Sequence, residues 1–128
     1  MLDHAGIPVT GFSRSKAFYE RALSPLWITV VMEVTAEQTA GSAHAGFGTG
    51  GNPFFWIGDG RRPAGPIHVA FAAKSRAEVE AFYRDGLAAG GKDNGAPGLR
   101  LHYHPNYYGA FLLDPDGNNI EAVCHKPE

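Results

Sequence analysis

The chain has 128 residues, is 44% apolar and carries a net charge of -2, which is the size and composition of one domain with a continuous core. No run of about 18 apolar residues is present to cross a bilayer, and no basic-then-apolar leader opens the chain, so a cytoplasmic protein without membrane contact is expected. The longest basic cluster is Arg61-Arg62 in a Gly- and Pro-rich stretch, which argues against nucleic acid as a partner, and the single cysteine, Cys124, excludes an intrachain disulfide.

From the N-terminus, the opening strand alternates: Ala5, Ile7 and Val9 share one face, while His4, Gly6 and Pro8 share the other. Ser13 stands as the N-cap of a helix whose apolar stripe is Phe18, Tyr19, Ala22 and Leu23, and Pro25 stops it. Strand-like runs follow at Leu26 to Val34 and Ala45 to Gly58, broken by Gly48 to Pro53. Gly58 to Pro66 is a linker by composition. A first unit of about residues 1–60 is thus set off from a second of about 65–126.

The second unit repeats the order of one strand, one helix and further strands. Ile67, Val69 and Phe71 alternate with His68, Ala70 and Ala72. Ser75 and Glu78 form a capping box, Val79, Phe82, Tyr83 and Leu87 make the stripe, and Gly90-Gly91 ends the helix. Gly95 to Tyr108 is taken as a loop without counterpart in the first unit. The last strands are Tyr107 to Leu113 and Asn119 to Val123, joined by Asp114-Pro115-Asp116-Gly117, a turn that sets the position of Glu121.

An offset of 64 residues places His4 on His68, Ala17-Phe18-Tyr19 on Ala81-Phe82-Tyr83, Leu23 on Leu87 and Phe47 on Phe111 without a gap. Matches so widely separated indicate a duplicated unit. Both histidines lie on the strand face away from the bulky apolar residues. Glu121 does too, because Ile120, Ala122 and Cys124 take the core side of its strand. A carboxylate among such neighbours needs either solvent or a partner charge, and two imidazoles with one carboxylate make a site for a divalent ion such as Fe(II), Mn(II), Zn(II) or Ni(II), with positions left open for water or substrate. The alternative is two exposed histidines and a glutamate paired with an arginine. At the same offset Arg100, His102 and His104 correspond to Ala36, Gln38 and Ala40, so the Gly95 to Tyr108 stretch gives one unit its own chemistry. Arg100 and His102 are candidate substrate contacts there, as is Trp56 in the first unit, and His104, Tyr107 and Tyr108 are candidates for proton transfer.

The two-unit organisation, the histidine on each first strand, the Ala-Phe-Tyr helices and the Asp114-Pro115-Asp116-Gly117-Asn118-Asn119-Ile120-Glu121 ending resemble the vicinal oxygen chelate superfamily. Its members include glyoxalase I, bleomycin-resistance proteins, fosfomycin-resistance enzymes and extradiol ring-cleaving dioxygenases. The resemblance covers essentially the whole chain. It implies an α+β fold of two tandem βαβββ modules whose curled mixed sheets surround a metal cleft, in a homodimer, acting on a small-molecule substrate.

Departures from individual members narrow the reading. Glyoxalase I uses a second glutamate at the first-unit position equivalent to Glu121; the offset of 64 points to Ile57, between Trp56 and Gly58, none of which ligates. The extradiol signature is matched by His104, Asp114-Pro115 and Glu121, but Phe111 stands at the tyrosine position and Ala110 at the larger apolar one; Tyr107 or Tyr108 is left to replace the missing hydroxyl. The resulting expectation is a metal-dependent enzyme acting on a small oxygenated metabolite, with glyoxalase-like lyase or isomerase chemistry ahead of dioxygenase chemistry. A non-enzymatic drug binder of the bleomycin-resistance type is the competing class.

Overall fold

A computed structural model of the chain describes residues 2–37, 41–61 and 64–128; Arg62 of the linker, and Gln38 and Ala40 as counterparts of His102 and His104, lie outside them. The alternating opening segment forms β1 (Ala5–Val9) and leads into α1 (Phe12–Leu23), a short 3-10 turn (Ser24–Leu26), then β2 (Thr29–Val34), β3 (His44–Thr49) and β4 (Asn52–Asp59). The second module repeats this as β5 (His68–Ala72), α2 (Arg76–Ala88), β6 (Lys92–Leu99), β7 (Tyr108–Leu113) and β8 (Asn119–Cys124).

Each module folds into a four-stranded mixed sheet, in the orders β1-β4-β3-β2 and β5-β8-β7-β6. The first and last strands of a module pair in parallel, while the other neighbours are antiparallel. A parallel pair needs a crossover, which the helix and the two intervening strands supply. The sheets are curled and do not close.

The helices bury the opposite faces of these sheets. Phe18, Tyr19, Ala22 and Leu23 of α1 and Val79 and Phe82 of α2 join Phe55 and Ile57 of β4, Phe71 of β5 and Leu112 and Ile120 of the second sheet in one core cluster. Tyr19, Phe55 and Phe71 link the modules through edge-on ring contacts, 5.1 Å from Tyr19 to Phe55 and 5.1 Å from Phe55 to Phe71. Cys124 is fully buried in this core, as its apolar neighbours imply.

Four expectations are corrected by the local structure. The N-cap of α1 is Gly11, without a side-chain cap; Ser13 lies inside the helix. The capping box of α2 does form: Ser75 Oγ accepts from the Glu78 N–H at 3.2 Å, and Glu78 Oε1 accepts from the Lys74 N–H at 2.8 Å. The buried positions of α2 are Val79, Phe82 and Gly86, whereas Leu87 faces solvent. Gly95 to Leu99 is not loop but the second half of β6, the counterpart of β2, and the irregular segment is confined to residues 100–107.

The fourth correction concerns the repeat. Gly6 pairs with Trp56 in the first sheet, and Ala70 pairs with Glu121 in the second. Gly6 and Ala70 are 64 residues apart, but Trp56 and Glu121 are 65 apart. The residue equivalent to Glu121 is therefore Trp56, not Ile57. The Phe47 and Phe111 match is likewise fortuitous: Phe47 is in the core opposite Phe55, while Phe111 is opposite Glu121 on the other face. A slip of one residue reverses the side a strand residue faces.

The turn after β7 does more than place Glu121. Asp114 is buried, and its carboxylate accepts from the N–H groups of Asp116 (2.9 Å) and Asn118 (2.8 Å), from Asn118 Nδ2 (2.9 Å) and from the Tyr19 hydroxyl of the other module (2.6 Å). Asp116, also buried, accepts from the backbone N–H (3.1 Å) and hydroxyl of Thr10. Gly117, at φ 86, takes the left-handed position. The turn thereby pins the start of β8 to the first module.

Candidate functional site

The opposite, concave face of the second sheet carries the candidate residues His68 and Glu121. Glu121 sits mid-strand on β8 and is 1% exposed. His68, at the start of β5, brings Nε2 to 3.2 Å from Glu121 Oε1, while its Nδ1 lies 3.1 Å from the backbone carbonyl oxygen of Asn119. The other carboxylate oxygen accepts a short hydrogen bond from the Tyr107 hydroxyl. Phe111, directly opposite Glu121 in the β7–β8 ladder, stacks near the His68 ring at 6.3 Å. A cavity of about 410 Å3 opens over His68, Tyr103, Tyr107, Phe111, Asn119 and Glu121.

Gly109 makes this packing possible, since a Cβ there would stand 3.2 Å from both Glu121 Oε2 and Tyr107 Cε1. Burial, with the adjacent Glu121 carboxylate, holds the Tyr107 proton well above the usual tyrosine range, and Arg100 opposes this only in part. Tyr107 is accordingly a standing hydrogen-bond donor at neutral pH.

The remaining sequence candidates are dispersed around this cluster. Arg100 places its guanidinium 5.4 Å from the Phe111 ring centre and donates to the Ala96 carbonyl at 2.8 Å. His102 packs on Tyr103 at 4.1 Å. His104 is exposed; its Nδ1 accepts from the Asn106 N–H at 3.0 Å, and its ring meets His125 edge-on at 5.7 Å. Tyr108 points to the other side of β7, where its hydroxyl donates to Glu80 of α2 at 2.7 Å and its ring lies under Arg76. Of the two tyrosines offered as replacements for the hydroxyl missing at Phe111, the fold brings Tyr107 to the carboxylate and turns Tyr108 away.

His4 and Trp56 belong to the other concave face. His4 precedes β1, pairs with Asp3 at 2.7 Å, and lines a cavity of about 1010 Å3 with Gly6, His44, Asn52 and Trp56. It also borders a cavity of about 330 Å3 between the β1 and β5 edges, shared with Val69 to Ala72. Among the described residues, no group of three or more His, Cys, Asp or Glu side chains is arranged to hold a metal ion. The structure thus joins His68 to Glu121 and leaves His4 apart from them. Asn119, whose carbonyl orients His68, carried no sequence signal, because it acts through its backbone; Tyr103 of the cavity wall belongs to the aromatic and titratable stretch from Arg100 to Tyr108 that the sequence singles out.

The donor set of the joined pair fits a metal. A carbonyl oxygen can only accept, so the contact with Asn119 calls for the His68 proton on Nδ1 and frees Nε2 for a second partner. Nε2 faces a carboxylate oxygen at 3.2 Å. Two acceptors held face to face require a cation between them, either a proton or a metal. A backbone carbonyl on the far ring nitrogen is the usual way a ligating histidine is oriented, so His68 and Glu121 would suit a divalent ion as two of its ligands.

Paired strand-helix-strands modules with a histidine and a glutamate on the concave sheet face define a vicinal oxygen chelate protein. The chain belongs to the Glyoxalase/Bleomycin resistance protein/Dioxygenase superfamily, whose sequence profile matches residues 1–122. A glyoxalase/bleomycin resistance protein from Albidiferax ferrireducens T118 is 27% identical, with a TM-score of 0.72 over 98% of this chain and 99% of that one. Glyoxalase I from Zea mays is 20% identical with a TM-score of 0.73; this chain is covered to 99% but spans only 45% of the maize protein. The genomically encoded fosfomycin resistance protein from Listeria monocytogenes, solved with Mn(II) and 1S,2S-dihydroxypropylphosphonic acid, is 16% identical with a TM-score of 0.71 over 100% and 92% of the two chains. No curated protein sequence matches the chain.

Proposed function

We propose that the chain is a metal-dependent enzyme that converts a small molecule bearing neighbouring oxygen atoms, by lyase or isomerase chemistry of the glyoxalase kind. The observation that carries this reading is His68 Nε2 held 3.2 Å from the buried Glu121 carboxylate, with Nδ1 turned to the Asn119 carbonyl. His68 and Glu121 would hold the ion; since His4 of the same chain lies apart from them, a homodimer would supply the third ligand as His4 of a second copy. When bound, a divalent ion supplies Lewis acidity toward substrate oxygens.

The chain's own residues do the rest. Tyr107 keeps its proton at neutral pH and directs it at Glu121 Oε2, which holds the carboxylate in one orientation and leaves a hydroxyl beside the cavity. Phe111 and Tyr103 give the cavity an aromatic wall against which a small molecule can pack. Arg100 adds positive charge behind Phe111, favouring a substrate that develops negative charge. Phe111 carries no hydroxyl and Tyr107 is engaged with the carboxylate, which favours non-redox proton chemistry over catechol ring cleavage.

The test is metal analysis of protein purified without chelators and reconstituted with Mn(II), Ni(II) and Zn(II), followed by assays on the adducts of α-keto aldehydes with thiols. Turnover without oxygen consumption, abolished in His68→Ala, is expected. Failure to take up any divalent ion after reconstitution would remove the basis of the proposal, and oxygen uptake with a catechol panel would replace it with the dioxygenase branch.

A further inference from the structure

Tyr107, which donates to the Glu121 carboxylate, is itself placed by a histidine that the proposed chemistry leaves unused. His104, Pro105, Asn106 and Tyr107 form a turn in which the Tyr107 N–H donates to the His104 carbonyl at 3.1 Å. Pro105 at its second position, with no positive φ at Asn106, makes it a turn of type I. The first position of such a turn favours Asp, Asn or Ser, whose side-chain oxygen accepts from the N–H two residues on. His104 occupies that position and plays the same part with Nδ1, which accepts from the Asn106 N–H at 3.0 Å.

This turn closes the irregular segment of residues 100–107. The His104 N–H donates to the Arg100 carbonyl at 3.3 Å, and the Arg100 N–H donates to the Tyr107 carbonyl at 2.7 Å. Tyr107 is the last residue of the turn, so the aim of its hydroxyl at Glu121, and the packing of the Tyr103 ring edge-on to its own at 5.0 Å, follow from how the turn is set. A backbone N–H can only donate, so Nδ1 of His104 holds Asn106 only while it carries no proton. Imidazole is the side chain that ordinarily changes charge between about pH 5 and 8. The turn thus has an acceptor that mild acid removes, where Asp, Asn or Ser would supply a lasting one.

His125, just past the end of β8, adds to this. Its ring meets the His104 ring edge-on at 5.7 Å and the Tyr107 ring at 5.2 Å. The other titratable or charged groups facing the turn are Glu121 and, on the segment itself, Arg100, His102 and Tyr103. Among the described residues neither His104 nor His125 has a carboxylate partner, the ion-paired histidines being His4 and His68. Once both imidazoles are protonated, their like charges push the turn away from the end of β8.

We propose that His104 is a positioning residue for Tyr107: neutral, it fixes the turn that sets the Tyr107 hydroxyl on Glu121, and protonated, it releases the turn and frees the carboxylate from that hydrogen bond. The inference rests on the reading of Glu121 as part of the functional site, to which it adds a pH-dependent control.

The test uses chelator-treated protein, so that failure of the chain to bind a divalent ion would remove the metal reading and leave this result standing. In 15N-labelled wild type at pH 8, the His104 imidazole is expected to be protonated at Nε2 alone; toward pH 5 it gains the Nδ1 proton, and the Asn106 and Tyr107 amide signals move with the same midpoint. His104→Asn, which keeps an acceptor that does not titrate, is expected to hold both signals still over this range. His104→Ala should show them displaced at pH 8 already; should it fail to fold, His104→Asn decides alone. The link to Glu121 is read from the fall in urea midpoint caused by Tyr107→Phe, which should shrink by at least about half from pH 8 to pH 5 in the wild-type background and stay constant in the His104→Asn background. Amide movement of equal size in His104→Asn would assign the change to His125 and overturn the proposal. So would a Tyr107→Phe effect that is the same at both pH values in the wild-type background.

Discussion

The two concave faces arise from one backbone plan and carry different chemistry. In the second module the residue opposite the middle of the first strand is Glu121, buried against an imidazole and a phenol; in the first it is Trp56, laid over a glycine. The strand order and the parallel pairing of first and last strands are the same in both. Duplication thus conserves a curled platform, while single positions on its inner side decide whether it presents charge or aromatic surface. The turns leading to these strands differ in parallel. Thr49 to Asn52 turns in the open through Gly50 and Gly51, at φ 60 and 85, whereas Asp114 to Gly117 is anchored to the other module by Tyr19 and Thr10.

The largest effect that separates the modules is expected at Asp114. Its carboxylate accepts four hydrogen bonds, so Asp114→Ala should destabilise the chain by about 3 kcal/mol or more in urea denaturation, whereas Gly50→Asn in the open turn should change stability by less than about 1 kcal/mol. An equal response would show that the buried turn is not what fixes β8.

Next in size is Tyr107→Phe, which removes a donor from the buried Glu121 carboxylate. A loss of about 1–3 kcal/mol is expected, with recovery of part of it on adding a divalent ion. Unchanged stability in the metal-free protein would mean that the hydroxyl is not holding the carboxylate.

The smallest effect is a pH dependence at the module junction. Burial, and then the Asp114 charge, raises the Tyr19 pKa, so folding favours the protonated phenol. That contribution is complete below the ordinary tyrosine pKa of about 10 and is lost as pH rises above it toward the raised folded value. Tyr19→Phe should be less stable than wild type by about 1 kcal/mol at pH 8, and the gap should narrow above about pH 10. A gap that widens in alkali would reverse the assigned sign.

Much of this architecture is legible in the sequence, because the decisive signals are local. Alternation at Ile67 to Ala72 puts His68 on the inner face, the Ser75 and Glu78 spacing starts α2, and Ile120-Glu121-Ala122 sets the carboxylate opposite two core residues. What is not legible depends on register. β2, β3 and β6 all contain irregular pairings, at Val30/Met32, Phe47/Gly48 and Asp93/Gly95/Gly98, and such bulges let the repeat spacing move from 64 at β5 to 65 at β8. A gap-free comparison therefore selects Ile57 where the fold selects Trp56. The separation of His4 from His68 is equally hidden, since equivalence in a repeat says which side a residue faces and not how far apart two modules hold their inner faces.

The central claim is that His68 and Glu121, on the inner face of the second module, hold a divalent ion. Equilibrium dialysis against Zn(II) and Mn(II) of the wild type, His68→Ala and His44→Ala tests it most directly. The account predicts about one ion per chain in the wild type and in His44→Ala, with affinity lowered at least about tenfold in His68→Ala. Undiminished binding in His68→Ala, or its loss in His44→Ala, would contradict it.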